Sequence, residues 1–470
     1  MKVDTVIVGA GTAGLSALRE VRRYTDDFVL VNDGGWGTTC AAVGCMPSKA
    51  LIEAANAFHR RNGFDAFGIR GAEELRVDIP AVLARVREMR DGFVKGPEAV
   101  PEKLGKRAIS GRARLLGPGR LDVGGIEIEA RAIILAPGSR PVVPAPWRDF
   151  GERILTTDSL FEQADLPRRI AVIGMGALGI EIAQALARLG LEVTGFDAAR
   201  GLAGIDDSAV LAAFRPLIEA EIALHLGAPA ELEDAGGTIR VTGAGGSVTV
   251  DAVLAAVGRR PNIDDLGLET LGVPLDDKGM PGIDPGTLRI GDLQVFLIGD
   301  ANGYRPILHE AADEGHIAGR MSAPDATGTG LCRRTPLSIV FSSPQVARVG
   351  PPLSELGETR IASGSADFSA QPRARMAQTS AGLLRIHAER DSGRLLAAEM
   401  SVPAAEHLAH LLALAVEREM TVADMLAMPF YHPVLEEGLR NALRDLAKDV
   451  AGAGGSDLSD CRAIGHDALD

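Results

Sequence analysis

Two of the four cysteines, Cys40 and Cys45, stand in one short stretch, Gly37-Thr38-Thr39-Cys40-Ala41-Ala42-Val43-Gly44-Cys45-Met46-Pro47-Ser48-Lys49, while Cys332 and Cys461 are isolated. At the start of a helix, thiols at this spacing meet on one face within little more than a turn. The amides of a helix N-terminus favour the thiolate. The thiolate is the form that exchanges with an external disulfide and passes electrons on. Two other readings compete. A buried pair of small apolar side chains would do no chemistry. A zinc site needs further ligands at metal-like spacing, and none is evident. A structural disulfide does not suit a reducing compartment. The pair is therefore read as redox-active, with no metal.

Electrons leaving such a pair need a carrier, and the chain holds two glycine-rich turns that fit one. Gly9-Ala10-Gly11-Thr12-Ala13-Gly14 follows a buried apolar strand at 3–10 and opens a helix from 12 to about 23; a second strand follows at 28–31. Gly9 permits the turn, Gly11 lets the backbone approach a pyrophosphate, and Gly14 lets helix and strand pack closely. The helix N-terminal amides hold the phosphate charge. The acidic ribose ligand usual after the second strand is replaced by Asn32, with Asp33 next; an amide still hydrogen-bonds a ribose hydroxyl, more weakly than a carboxylate.

The pattern recurs as Gly174-Met175-Gly176-Ala177-Leu178-Gly179, between a strand at 169–173 and a helix at 180–189, with a further strand at 191–196. Gly174 is as far from Asp197 as Gly9 is from Asn32, so the chain contains an internal repeat and two dinucleotide-binding domains are expected. Asp197 can take both ribose hydroxyls and repels a 2′-phosphate, which favours NAD over NADP, although Arg200 is close by.

These turns need a large framework. At 470 residues the chain suggests two to four domains, and 46% hydrophobic content supports a large core. The 56 glycines show no three-residue period, which excludes collagen. Lys and Arg total 49 against 63 Asp and Glu, a net charge of -14 with no basic block, so nucleic acid is not an expected partner. No apolar run is long enough to span a bilayer, and residues 1–9 lack a signal-peptide layout, so the expected location is cytoplasmic.

Further helices are expected at 49–61 and 79–95, short strands across 111–144, and buried strands at 251–257 and 293–298. After about residue 335 the texture changes to strands at 338–341 and 382–388 and helices at 404–418, 422–426 and 435–447, an α+β pattern. A Gly- and Asp-rich tail begins at 451. The fold class is therefore α/β, with two Rossmann-like dinucleotide-binding domains and then an α+β domain.

From residue 3 to about 447 the chain resembles the pyridine-nucleotide disulfide oxidoreductases, and among them the dihydrolipoamide dehydrogenases. The cysteine segment carries the resemblance first, although Thr38 and Ala42 stand where the family usually has glycine and asparagine. Ala136-Pro137-Gly138-Ser139 resembles the second dinucleotide signature, with Pro137 in place of threonine. Gly299-Asp300 resembles the motif whose aspartate binds the flavin ribityl chain, and Ile307-Leu308-His309 the backbone passing the flavin. Gly258 with Arg260-Pro261-Asn262 resembles the loop at the nicotinamide nucleotide. His432-Pro433-Val434-Leu435-Glu436-Glu437 resembles the C-terminal signature, with Val434 for threonine.

The resemblance implies FAD and NAD as cofactors, FAD in a domain of 1–145 and 275–330, NAD in 146–274, and an interface domain at 335–450. It implies a redox disulfide of Cys40 and Cys45 against the flavin, with Cys40 exchanging and Cys45 facing the ring. Lys49 and Glu181 pair near the flavin N5. Taken alone, Glu181 is only a first-turn helix acid and His432 more often a turn residue. By resemblance His432 is the base, oriented by Glu437, and reaches the other subunit of a homodimer. The implied reaction is oxidation of dihydrolipoamide by NAD, the dithiol being free or carried on a lipoylated protein of a 2-oxoacid dehydrogenase complex. Rivals are a disulfide, metal or quinone reductase on the same scaffold. Mercuric reductases carry a C-terminal cysteine pair, against which only Cys461 stands here. A non-enzymatic flavoprotein scaffold would not retain both cysteines, Lys49, Glu181, His432 and Glu437 together.

Overall fold

The computed structural model describes residues 1–326, 331–356 and 360–451, so the tail expected beyond 451 and Cys461 lie outside the described residues. The chain divides into two units, Met1–Leu51 with Asp78–Leu166 and Ala255–Arg333, and Ile52–Val77 with Pro167–Leu254 and Arg334–Asp470. Among the described residues no helix is long and apolar enough to cross a membrane.

The first unit is organised by a sheet in which Lys2–Val8 lies between Phe28–Asn32 and Ile126–Leu135, parallel to both. Val8 registers with Val31 on one side and Leu135 on the other. Val295–Leu297 adds to Ile126–Leu135 in parallel, and Ala108–Ser110 adds to Phe28–Asn32. Strands covered on both faces read as continuous apolar runs, and Val6, Ile7, Leu30, Val31, Ile133, Ile134 and Leu135 are fully buried. Antiparallel strands Ala113–Gly117 and Arg120–Val123 extend the sheet. On one face the helix Thr12–Val21 packs on the helix Leu308–Met321. The backbones come close because Gly315 faces that contact: a Cβ there would lie 2.2 Å from the Ala13 carbonyl oxygen.

In the second unit Glu192–Asp197 lies between Arg169–Ile173 and Ala223–Leu226, again parallel, with the helix Ala177–Arg188 after the first of these strands. The internal repeat is thus a structural one, and both copies are Rossmann-like. A helix over Ser208–Glu219, N-capped by the Asp207 carboxylate, and an antiparallel meander over 231–250 were not assigned from the sequence. Beyond residue 334 a five-stranded antiparallel sheet runs in the order Leu337–Val340, Gln345–Val349, Leu395–Val402, Leu383–Glu389, Ile361–Asp367. Helices Ala405–Glu417, Val422–Leu426 and Glu436–Ala447 cover it, with Leu384, Ile386, Met400, Leu412 and Leu443 in the core.

The cysteine segment differs from expectation. The sequence suggested one helix beginning near the thiols; the structure has two. Cys40 belongs to the short helix Thr39–Ala42, N-capped by the Thr38 hydroxyl, and Cys45 is the first residue of the helix Cys45–His59. Val43, at φ -135° and ψ 4°, ends the first. Gly44 then packs on it so tightly that a Cβ would lie 3.0 Å from the Thr39 carbonyl oxygen and 3.2 Å from the Cys40 Cα. The fold back, rather than a shared helical face, is what brings the thiols together.

Candidate active site

Cys40 and Cys45 are partly buried thiols with no disulfide between them. The hydrogen bond with Cys45, and then burial, push the Cys40 thiol far above the ordinary thiol range. Two thiols this close titrate as a pair, in two steps that belong to the pair rather than to either residue. The N-terminal effect expected for both sulfurs therefore does not make Cys40 a thiolate while its partner is reduced. Lys49, half-buried, lies one turn further along the helix that Cys45 begins.

The first glycine turn is built as the spacing predicts. Gly9 has φ +101°, and a Cβ on it would lie 2.1 Å from the Ala136 carbonyl oxygen; one on Gly14 would lie 1.9 Å from the Gly9 carbonyl oxygen. A Cβ on Gly11 would meet nothing within 4 Å, and Gly11 caps the helix without any side-chain bond to its amides. This is open space at a set of free donors, the requirement for a pyrophosphate. Asn32 is buried, and both ends of its amide are engaged: Oδ1 accepts from the Ala10 amide at 2.9 Å, and Nδ2 donates to the Gly35 carbonyl at 3.0 Å. It latches the turn, and Asp33 beside it also lines the adjoining cavity.

That cavity, of about 510 Å³, is lined by Gly9, Asn32, Asp33, Arg140, Asn262 and Asp264 among others. The sequence assigned the Gly258 segment to the nicotinamide nucleotide. Here Arg259–Pro261 pairs antiparallel with Ser139–Pro141, just after Gly138, and Asn262 Nδ2 donates to the Pro137 carbonyl at 3.0 Å. Ser139 Oγ is 2.6 Å from Asp300 Oδ2, which brings those two expected residues together. Leu308, exposed, begins the helix Leu308–Met321.

The second turn repeats the design. Gly174 has φ +99°, a Cβ on Gly176 would meet nothing within 4 Å, and Gly179 is buried in the helix that follows. Asp197 Oδ2 accepts from the Met175 amide at 2.6 Å and Oδ1 from the Ala199 amide at 2.7 Å. Arg200 lies along Gly227, where a Cβ would come 3.2 Å from Nε. Glu181 is buried on the same helix, and its Oε1 accepts from the Phe341 amide at 2.8 Å.

His432 Nδ1 is 2.8 Å from Glu437 Oε1, and Glu437 Oε2 accepts from the Val434 amide at 3.2 Å. The imidazole, and secondarily that amide, hold the Glu437 carboxyl below its ordinary range. A carboxylate only accepts, so Nδ1 carries the proton and the neutral ring keeps its lone pair on Nε2. His432 is 72% exposed, open to a reactant from outside. The structure thus brings together Cys40 with Cys45, Ser139 with Asp300, and His432 with Glu437. Arg259 and Asp264 were not picked out, because only the pairing of two distant strands reveals them. Among the described residues no cluster of His, Cys, Asp or Glu could hold a metal ion.

Each turn offers the open backbone cradle that a dinucleotide pyrophosphate requires. Residues 3–315 match the family described as pyridine nucleotide-disulphide oxidoreductase, and residues 337–443 its dimerisation domain. The chain belongs to this family: it is a flavoprotein oxidoreductase that uses FAD and NAD(P). It is 31% identical to a dihydrolipoyl dehydrogenase of Thermus scotoductus, over 95% of this chain and 98% of that one. It is also 31% identical to a mercuric reductase of Shigella flexneri, over 94% of this chain and 81% of that one. In fold it resembles the Cu(II) complex of RclA, a HOCl-induced flavoprotein disulfide reductase of Escherichia coli, with a TM-score of 0.82 at 21% identity, covering 94% and 99% of the two chains.

Proposed function

We propose that the chain is a dihydrolipoamide dehydrogenase that works as a homodimer, with NAD as acceptor. The observation that carries the reading is the His432–Glu437 pair, at 2.8 Å, in a chain that also holds two hydrogen-bonded thiols. A thiol nucleophile must lose its proton before it attacks, and a base fixed in one tautomer takes it. His432 Nε2 removes a proton from the dithiol, and the substrate thiolate attacks Cys40 of the oxidised pair. The Cys40–Cys45 bond breaks and Cys45 leaves as thiolate. The substrate's second sulfur displaces Cys40, closing the substrate disulfide and leaving two electrons on the protein dithiol. Bound flavin supplies the two-electron link from that dithiol to the nicotinamide. Asp300 and the Leu308 amide would hold the flavin, Lys49 and Glu181 would set the charge beside it, and Asp197 would select NAD. The dimerisation domain supports a homodimer. The substrate is small, or the lipoyl arm of a 2-oxoacid dehydrogenase complex.

The mercuric reductase relative, at the same identity, favours a metal-ion reductase as the second reading. Steady-state kcat/KM separates the two. Dihydrolipoamide with NAD should exceed glutathione disulfide, quinones and Hg(II) reduced by NADH or NADPH by at least about tenfold. Faster turnover of Hg(II), or of any of the other acceptors, overturns the substrate assignment.

A further inference from the structure

We propose that Arg259 is a positioning residue for the flavin: acting through the Ser139 hydroxyl, it fixes Asp300 as a hydrogen-bond acceptor for a polyol chain. The inference rests on the reading of Asp300 as the ribityl ligand and goes beyond it.

Arg259 grips one residue at two points. Its Nε donates to Ser139 Oγ at 2.8 Å and its Nη2 to the Ser139 carbonyl at 2.7 Å. A guanidinium has five donors and no acceptor, and it does not deprotonate in a protein. The Ser139 oxygen must therefore accept from Arg259, which leaves its single proton for another partner. That partner is Asp300 Oδ2, at 2.6 Å, a length typical of a hydroxyl donating to a carboxylate. The relay runs one way, from guanidinium to hydroxyl to carboxylate. Arg259 Nε itself is 4.0 Å from Asp300 Oδ2, so the serine and not a direct ion pair makes the link. A serine free to rotate could accept from Asp300's own ligand or turn away; here it cannot.

The backbone makes the grip rigid. Arg259–Pro261 pairs with Ser139–Pro141, the Val142 amide donates to the Gly258 carbonyl at 3.0 Å, and the Asn262 amide to the Gly138 carbonyl at 2.9 Å. On the other side, Glu314 Oε2 accepts from the Gly299 amide at 2.6 Å, holding the turn that carries Asp300. The side chains of Arg259 and Asp300 are 28% and 26% exposed, withdrawn enough from water for the relay to keep its orientation.

The test is the rate at which holoenzyme loses FAD on dilution, read from the rise of free-flavin fluorescence. Asp300→Asn alone tests the ribityl reading and should speed release. Arg259→Met in the native background should speed it roughly tenfold, as should Ser139→Ala, and Arg259→Lys, with one donor point in place of two, should fall between. In the Asp300→Asn background Arg259→Met should add less than about twofold, because the group it acts through is already disabled. If Asp300→Asn leaves release unchanged, both the ribityl reading and the proposal fail. If it speeds release while Arg259→Met and Ser139→Ala do not, only the proposal fails. An equal tenfold effect of Arg259→Met in both backgrounds also overturns it, since that marks a purely structural role.

Discussion

Asn32 and Asp197 accept the equivalent backbone proton in the two nucleotide turns, Asn32 from Ala10 at 2.9 Å and Asp197 from Met175 at 2.6 Å. The latch is the same but the charge is not. An amide satisfies the turn without repelling an anion, whereas a carboxylate there disfavours a 2′-phosphate. On the proposed reading, a preference for NAD depends on a charge that the fold itself does not need. Wild-type kcat/KM should favour NAD over NADP by at least about tenfold, and Asp197→Asn, which keeps an acceptor for Met175, should narrow the ratio. Equal use of the two coenzymes by the wild type would give control of the pocket to Arg200.

The Cys40 thiol is held up first by its hydrogen bond with Cys45 and then by burial. Cys45→Ala removes the first cause and leaves the second. In the reduced protein, iodoacetamide labelling of Cys40, followed by peptide mass against pH, should then reach its midpoint at lower pH than in the wild type. An unmoved midpoint would assign the shift to burial alone and remove the evidence for a coupled pair.

His387 is 1% exposed; burial foremost, and then the Arg385 charge, lower its pKa to about 4, with Asp207 acting in the opposite sense. Its Nδ1 lies 2.8 Å from the Ser363 hydroxyl. In the unfolded chain a histidine takes up a proton near pH 6.5. The neutral buried ring therefore adds full stability only above that pH, and the contribution is lost as pH falls from about 6.5 to about 4, a change of up to about 3 kcal/mol. Thermal midpoints across this range should fall less steeply in His387→Gln than in the wild type. Parallel slopes would mean that other groups set the acid sensitivity.

Much of this was legible in the residues because it is local. Arg169–Ile173 and Val422–Leu426 were read to the residue, and the strand Phe28–Asn32 to within one, since buried parallel strands and short amphipathic helices carry their pattern in their own side chains. Leu395–Val402 went unassigned: every residue of it is buried, and the alternation of Glu399 and Ser401 with Ala398, Met400 and Val402 covers only its second half, after the apolar run 395–398. Ile361–Asp367 is rich in small residues, and Gly364 lies so close to the helix Glu436–Ala447 that a Cβ would sit 2.3 Å from the Ala442 carbonyl oxygen. The break at Val43 was invisible among small side chains. The grip of Arg259 on Ser139 spans 120 positions and exists only once two short strands pair, so no window of sequence contains it.

Glu437 lies below the ordinary carboxylate range because its ionised form accepts from His432 and from the Val434 amide. A depressed carboxyl keeps its contribution at every pH above its ordinary value, near 4.5, and loses it only as pH falls through the lowered one. From pH 5 upward the pair is therefore intact in the wild type. Glu437→Gln removes the charge that fixes the imidazole tautomer, and dihydrolipoamide kcat/KM should drop at least about tenfold between pH 6 and 8 with FAD content unchanged. Activity within about twofold of the wild type would show that His432 needs no orienting acid.

In the proposed reaction His432 moves the proton of the thiol exchange, while transfer of electrons to the flavin does not depend on it. The most direct measurement is the ratio of two activities in His432→Gln: dihydrolipoamide with NAD, and NADH with an artificial acceptor that takes electrons straight from the flavin. A positioned imidazole contributes about 10²–10⁴-fold to such a transfer, and glutamine keeps the polarity and reach but cannot titrate near neutrality. The first activity should fall by roughly that factor and the second should be largely retained, with FAD still bound. If dihydrolipoamide turnover stays within about threefold of the wild type, or both activities fall together, His432 is not the base and the account of this site is wrong.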